Sequence, residues 1–208
     1  MFHWPESGGG VPDRKLKVLV VDDEPTLRLG FAYALSNKFT QVETAASGRQ
    51  ALERLAADSF DVMILDLRMP ELDGITVIEL TRTGGNEIPT ILCSAALNPN
   101  AVLRAIRQGV VDFLLKPIRP IDLRQVVEFV MRPNNETLSR AMVAARSGRY
   151  EEATTILEAH AAPSPQILSW LHLLRLVQNE PSSDANSRLE EIIRASLPLL
   201  AFNAHLSK

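Results

Sequence analysis

Cysteine is nearly absent: Cys93 is the only one in 208 residues, so no disulfide can form within the chain. Its neighbours Ile91 and Leu92 place it in an apolar run, where a free thiol behaves as a small core side chain. There is no run of about 18 apolar residues, so no membrane span is expected. Basic charge is not in excess. The chain has 22 Lys and Arg against 25 Asp and Glu, a formal net charge of −3, and it lacks the basic patch that marks a nucleic-acid binder. Met1 to Arg14 contains no apolar stretch of the kind a secretory signal needs. Gly8, Gly9, Gly10 and Pro12 make residues 1–15 read as a flexible leader. These absences leave a cytoplasmic protein of one or two domains, and its 46% hydrophobic content is enough to fill a core.

What is present is an alternation of short apolar runs and helical periodicity. Leu16–Val21 (LKVLVV) is β-branched and almost wholly apolar, as a strand covered on both faces is. Pro25 suits the first turn of a following helix, with Leu27, Phe31, Ala34 and Leu35 at helical spacing. Val42–Ala45 predicts a second strand, Gly48–Asp58 a helix with Ala51, Leu52 and Leu55 inward, and Asp61–Leu65 a third strand. The remaining elements are a helix over Ile75–Arg82, a strand over Pro89–Cys93, a helix over Pro99–Gln108, a strand over Val111–Leu115 and a helix over Pro120–Met131. Five strands alternating with five helices predict an α/β fold with a doubly wound parallel sheet, joined by right-handed crossovers. In such sheets ligands sit beyond the carboxyl ends of the strands.

Those ends carry reactive side chains. The first strand runs into Asp22 and Asp23, the third into Asp66, the fourth into Ser94, and the fifth into Lys116 and Pro117. Carboxylates crowded together repel unless one is protonated or a cation neutralises them. An all-oxygen donor set suits a hard divalent ion such as Mg²⁺. With a lysine and a hydroxyl beside it, the cluster suits phosphoryl transfer onto a carboxylate.

Four motifs at this edge, VLVVDDEP (Val18–Pro25), DVMILDLRMPELDG (Asp61–Gly74), TILCSA (Thr90–Ala95) and FLLKPI (Phe113–Ile118), make the chain resemble the receiver domain of two-component response regulators, of the chemotaxis-receiver type. The resemblance covers about Leu16 to Arg132. It implies a flavodoxin-like five-stranded sheet, with Asp66 as phosphoacceptor and Mg²⁺ or Mn²⁺ as cofactor. It further implies metal ligation by Asp22 and Asp23, directly or through water, by Asp66, and by the backbone carbonyl of Arg68. Lys116 and Ser94 would contact the phosphoryl oxygens, and the N–H groups of Leu67 and Ala95 would complete the cradle. Phe113 takes the aromatic switch position, often Tyr in the family. The Lys116–Pro117 bond would be cis, an isomer that only X–Pro bonds reach cheaply. The donor would be a sensor histidine kinase or a histidine phosphotransfer protein. Transfer to Asp66 and its reversal would be self-catalysed, without enzymatic turnover.

After Pro133 the composition shifts. Residues 134–208 contain no strand pattern and balance eight acids against seven bases. Thr137–Ser147, Glu151–Ala161, Gln166–Gln178 and Asp184–Leu197 predict four helices. Gly148-Arg149-Tyr150-Glu151-Glu152-Ala153 resembles the turn and second-helix start of a tetratricopeptide repeat, with Leu157 and Pro165 at compatible offsets, although Thr137 and His160 do not fit. The expectation is a helical interaction module that binds a downstream partner or dimerises. The simpler alternative is a helical cap packed on the receiver. No basic recognition helix is present, which argues against output through DNA. His160 and His172 lack the neighbours of a phosphotransfer histidine. A Mg²⁺-dependent phosphohydrolase would need a second aspartate two residues past the nucleophile, where this chain has Arg68.

Overall fold

The computed structural model describes residues 15–131, 136–159 and 165–179, together with positions 191 and 193. The expected leader and most of the expected fourth C-terminal helix lie outside the described residues. So do His3, His160 and His205. Five strands, β1 (Leu16–Val21), β2 (Thr40–Ala45), β3 (Val62–Asp66), β4 (Thr90–Ser94) and β5 (Val110–Leu115), alternate with α1 (Pro25–Leu35), α2 (Gly48–Ala57), α3 (Gly74–Thr83), α4 (Pro99–Arg107) and α5 (Pro120–Val130). The strands form one parallel sheet in the order β2-β1-β3-β4-β5. The order reverses beside β1, so the topological switch point lies between β1 and β3, where a ligand-binding crevice is expected.

The side chains explain the layering. Successive strand residues point to opposite faces, and both faces here are apolar. Val18, Val20, Val62, Ile64, Ile91, Cys93 and Leu114 pack against Phe31, Ala34 and Leu35 of α1 and Leu123, Val126 and Val127 of α5. Leu19, Val21, Met63, Leu65, Leu92, Phe113 and Leu115 face Ala51 of α2, Ile75, Val77 and Ile78 of α3, and Val102, Ala105 and Ile106 of α4. Local chemistry sets the helix starts. Pro25, Pro99 and Pro120 open α1, α4 and α5, where a missing N–H costs nothing. The side chains of Ser47, Asp73 and Asn98 accept backbone N–H groups at the N-termini of α2, α3 and α4. Arg82, at the end of α3, donates to the carbonyls of Asn86, Ile88 and Gln108 at 2.8–3.0 Å, tying the α3–β4 loop to the end of α4.

Beyond the sheet come α6 (Glu136–Arg146), α7 (Tyr150–Glu158) and α8 (Pro165–Asn179). Gly148 has φ +76°, a conformation that glycine reaches without strain, and it turns α6 back into α7. Ala153 and Leu157 are buried at this hairpin. The three helices do not stand apart from the receiver. Leu138, Ala141, Ala144 and Ala145 of α6 and Trp170, Leu171 and Leu174 of α8 belong to the same apolar cluster as α4 and β5. Arg146 makes a bidentate ion pair with Glu87 at 2.6 and 2.9 Å. Arg107 donates to the Tyr150 hydroxyl at 3.1 Å. Among the described residues, no helix is long and apolar enough to cross a membrane.

Candidate functional site

The carboxyl ends of β1, β3, β4 and β5 meet at one edge of the sheet. Register explains the convergence: Val21 pairs with Leu65, Asp66 with Cys93, and Ser94 with Leu115. Asp22, Asp66, Ser94 and Lys116 are therefore brought to one level. Asp66 and Ser94 are the last residues of their strands, one place earlier in the architecture than the sequence reading put them.

Asp22 and Asp66 are buried, with 1% and 4% of their surfaces exposed, whereas Asp23 is exposed. The Lys116 ammonium lies 2.8 Å from Asp22 Oδ2 and 2.5 Å from Asp66 Oδ1, bridging the two acids. Asp66 Oδ2 accepts the N–H of Arg68 at 2.9 Å, and Asp22 Oδ1 accepts that of Glu24 at 2.9 Å. Burial pushes the Asp66 carboxyl above the usual carboxylate range, outweighing the downward pull of Lys116, and the nearby Asp22 adds to the rise. Burial works against the Lys116 ammonium, but the two carboxylates prevail and hold its pKa above the ordinary lysine value.

The peptide bond between Lys116 and Pro117 is cis, as expected. It is followed by a turn in which Arg119 clasps the buried Asp122 through two contacts of 2.6 and 2.7 Å. Ser94 is fully buried, and its hydroxyl is engaged by its own loop: it donates to the Ala96 carbonyl at 2.6 Å and accepts the Ala96 N–H at 3.2 Å. Ala95 is exposed beside it. Leu67 departs from expectation. Its N–H donates to the Cys93 carbonyl at 2.8 Å, continuing the sheet, so the amide that faces the Asp66 carboxylate is that of Arg68. One more contact shapes the site. A Cβ on Gly74 would lie 2.4 Å from the Asp66 carbonyl oxygen, while the Gly74 N–H donates to Leu67 at 2.9 Å, so α3 begins against the backbone of the acidic residue. Neither the Leu67 sheet bond nor the Gly74 contact is coded by a local pattern; a glycine closing DLRMPELDG was the only available signal.

Among the described residues, no three acidic, imidazole or thiol side chains form a closed metal cage. The donor chemistry nonetheless fits a hard divalent cation. The ends of β1 and β3 supply only oxygens, and the buried Asp22 and Asp66 carboxylates already gather one cation, the Lys116 ammonium, between them.

Phe113, three residues before Lys116, is buried beneath α8, its ring 6.0 Å from that of Trp170 at an interplanar angle of 52°.

Comparison with known proteins agrees with this geometry. The response regulator receiver domain family matches residues 18–128. The chain is 34% identical over 119 residues to the Regulator of RpoS of Escherichia coli, covering 57% of this chain and 35% of that protein. It is 35% identical over 130 residues to the rice two-component response regulator ORR21, covering 61% of this chain and 19% of that protein. The chain thus spans well under half the length of these curated relatives. Among solved structures, the Vibrio cholerae chemotaxis protein CheY4 superposes with a TM-score of 0.54 at 29% identity, covering 56% of this chain and 99% of that one. The receiver domain of the putative response regulator NarL from Mycobacterium tuberculosis gives 0.52 at 34% identity, covering 58% and 99%. With the family matched across the whole acidic edge and the parallel sheet that builds it, the chain belongs to the response regulators of two-component systems through its receiver domain.

Proposed function

We propose that Asp66 accepts a phosphoryl group from a phosphohistidine on a sensor kinase or phosphotransfer protein, and that the resulting acyl phosphate switches the molecule between two states. The observation that carries this reading is the Lys116 ammonium lodged between Asp66 and Asp22 at the switch-point edge. In the transfer, an Asp66 carboxylate oxygen bonds to phosphorus while the P–N bond breaks. The electron pair leaves with the imidazole nitrogen, which takes a proton from solvent. Burial makes Asp66 more basic than an exposed carboxylate, and the Lys116 ammonium opposes that rise. Mg²⁺ or Mn²⁺, held by Asp22, Asp23, Asp66 and the Arg68 carbonyl, would neutralise charge on the group in transit. Lys116 and the Arg68 N–H then bind the oxygens of the product, and the Ala95 N–H serves as a further donor. Ser94 joins them once its hydroxyl leaves Ala96. No turnover on an external substrate is part of this reading: the chain modifies itself and is reset by hydrolysis.

The product differs from the resting side chain by about −1.5 to −2 charges and three strong acceptors. Because Ser94 binds only the modified state, the phosphoryl group shifts a population instead of merely decorating a surface. The helices beyond the sheet act as the interaction module, and the turn between α6 and α7 carries the tetratricopeptide-like sequence at Gly148–Ala153. Incubation with acetyl phosphate and Mg²⁺, followed by intact-mass measurement, should show one added phosphoryl group on the wild type and none on Asp66→Ala. The circular dichroism of the variant should stay native. Equal labelling of Asp66→Ala would move the acceptor elsewhere.

A further inference from the structure

We infer that the α4–β5 face of the receiver is a docking surface whose resting occupant is the chain's own helix α8, and that phosphorylation weakens this docking through the Phe113–Trp170 contact. The inference rests on Asp66 being the phosphoacceptor.

Three observations carry it. The first is that the face is already covered. Val102, Ala105 and Ile106 of α4 and Phe113 of β5 share one apolar cluster with Ile167, Trp170, Leu171 and Leu174 of α8, and Trp170 is 3% exposed. A second copy of the chain or another protein can reach this surface only by displacing α8.

The second is that the cover is tied to the acidic edge by two routes. Along β5, Phe113 lies in the same strand that delivers Lys116, and it pairs with Leu92, two residues before Ser94. Along β4, Ser94 opens the loop to Asn98, whose side chain caps α4, and α4 seats both α6 and α8. When Ser94 exchanges Ala96 for a phosphoryl oxygen, the loop and the space beside Phe113 change together. Phe113 has no hydroxyl to anchor its ring elsewhere, so its position is set by packing, and the largest side chain it meets is Trp170.

The third is that the polar contacts described between the receiver and these helices lie at the surface and reach α6 and α7. The Arg146–Glu87 and Arg107–Tyr150 contacts are exposed to solvent, and neither fixes α8 directly. The docking depends mainly on apolar fit around Trp170, the part that Phe113 controls. Phe113 and Trp170 are positioning residues in this scheme and touch no reacting atom.

The 208-residue chain carrying Trp4→Phe leaves Trp170 as the single indole. After treatment with acetyl phosphate and Mg²⁺, acrylamide quenching of its fluorescence should rise. Amide exchange over residues 165–179 should quicken several-fold, with neither change in the same chain bearing Asp66→Ala. A confirmed phosphoryl mass gain with unaltered quenching and exchange would overturn the inference while leaving the acceptor assignment standing. Absence of any mass gain would sink both. Phe113→Leu keeps the site apolar but removes the ring contact. It should label normally and show a much smaller difference in exchange between the two states, whereas Trp170→Phe should retain most of it. A Phe113→Leu protein that responds as the wild type does would also overturn the inference.

Discussion

Lys116 holds together two carboxylates that would otherwise repel each other under cover of the fold. Removing one partner of a buried ionic cluster leaves the other uncompensated and costs about 3–5 kcal/mol. Lys116→Ala should therefore lose stability of that order in urea unfolding at pH 7.5. The loss should shrink as pH falls, because burial has raised the proton affinity of the Asp66 carboxyl. A second acid gives a cleaner dependence on pH. Part of Asp112 reaches solvent, yet its carboxyl is shielded enough for burial to push it up to about 7 from 3.8, against the 2.8 Å hydrogen bond it accepts from the Phe113 N–H. The native state then holds this proton more tightly than the unfolded chain does. Its contribution to stability is greatest below about pH 4 and is lost as pH rises through 7. Asp112→Asn should flatten that slope, so its melting temperature should gain on the wild type between pH 5 and pH 8. Parallel curves for the two proteins would show that the carboxyl titrates normally.

At the level of elements, the start of α3 is joined closely to the end of β3. Gly74→Ala would drive a methyl group into the Asp66 carbonyl, and overpacking of this kind costs about 1–3 kcal/mol. The variant should melt earlier and also accept phosphoryl more slowly, since the backbone displaced is that of the acceptor. Rates of labelling by acetyl phosphate would check this. All five strands and the order of their reactive ends were legible in the sequence, because apolar runs such as Val62–Leu65 and the acids that follow them are local signals. Boundaries slipped by a residue at Asp66 and Ser94, since strand ends are decided by pairing with a neighbour and not by composition. The Leu67 amide was misplaced for the same reason: its bond to Cys93 joins two strands that the sequence does not align. The seat of α6 and α8 on α4 was not legible at all. Their apolar faces advertise burial without naming a partner, and both a free-standing module and a cap met that requirement.

At the scale of the whole molecule, the sheet and the appended helices share a core. Leu138, Trp170 and Leu174 bury themselves among the same residues that line α4 and β5, so neither part keeps its apolar surface dry alone. Small units that share a core unfold together. Far-UV circular dichroism and tryptophan fluorescence should report one coincident transition in denaturant, and two separated midpoints would show that the helices melt off as an independent unit. The same shared core bears on protein engineering with this receiver. A chimera spliced at residue 133, the seam that the sequence suggests, would expose the apolar face of α4 that α6 and α8 cover, and with it a tendency to self-associate. A graft that keeps the native chain through residue 179 carries its own lid, and its fusion partner need only respond to the lid's departure.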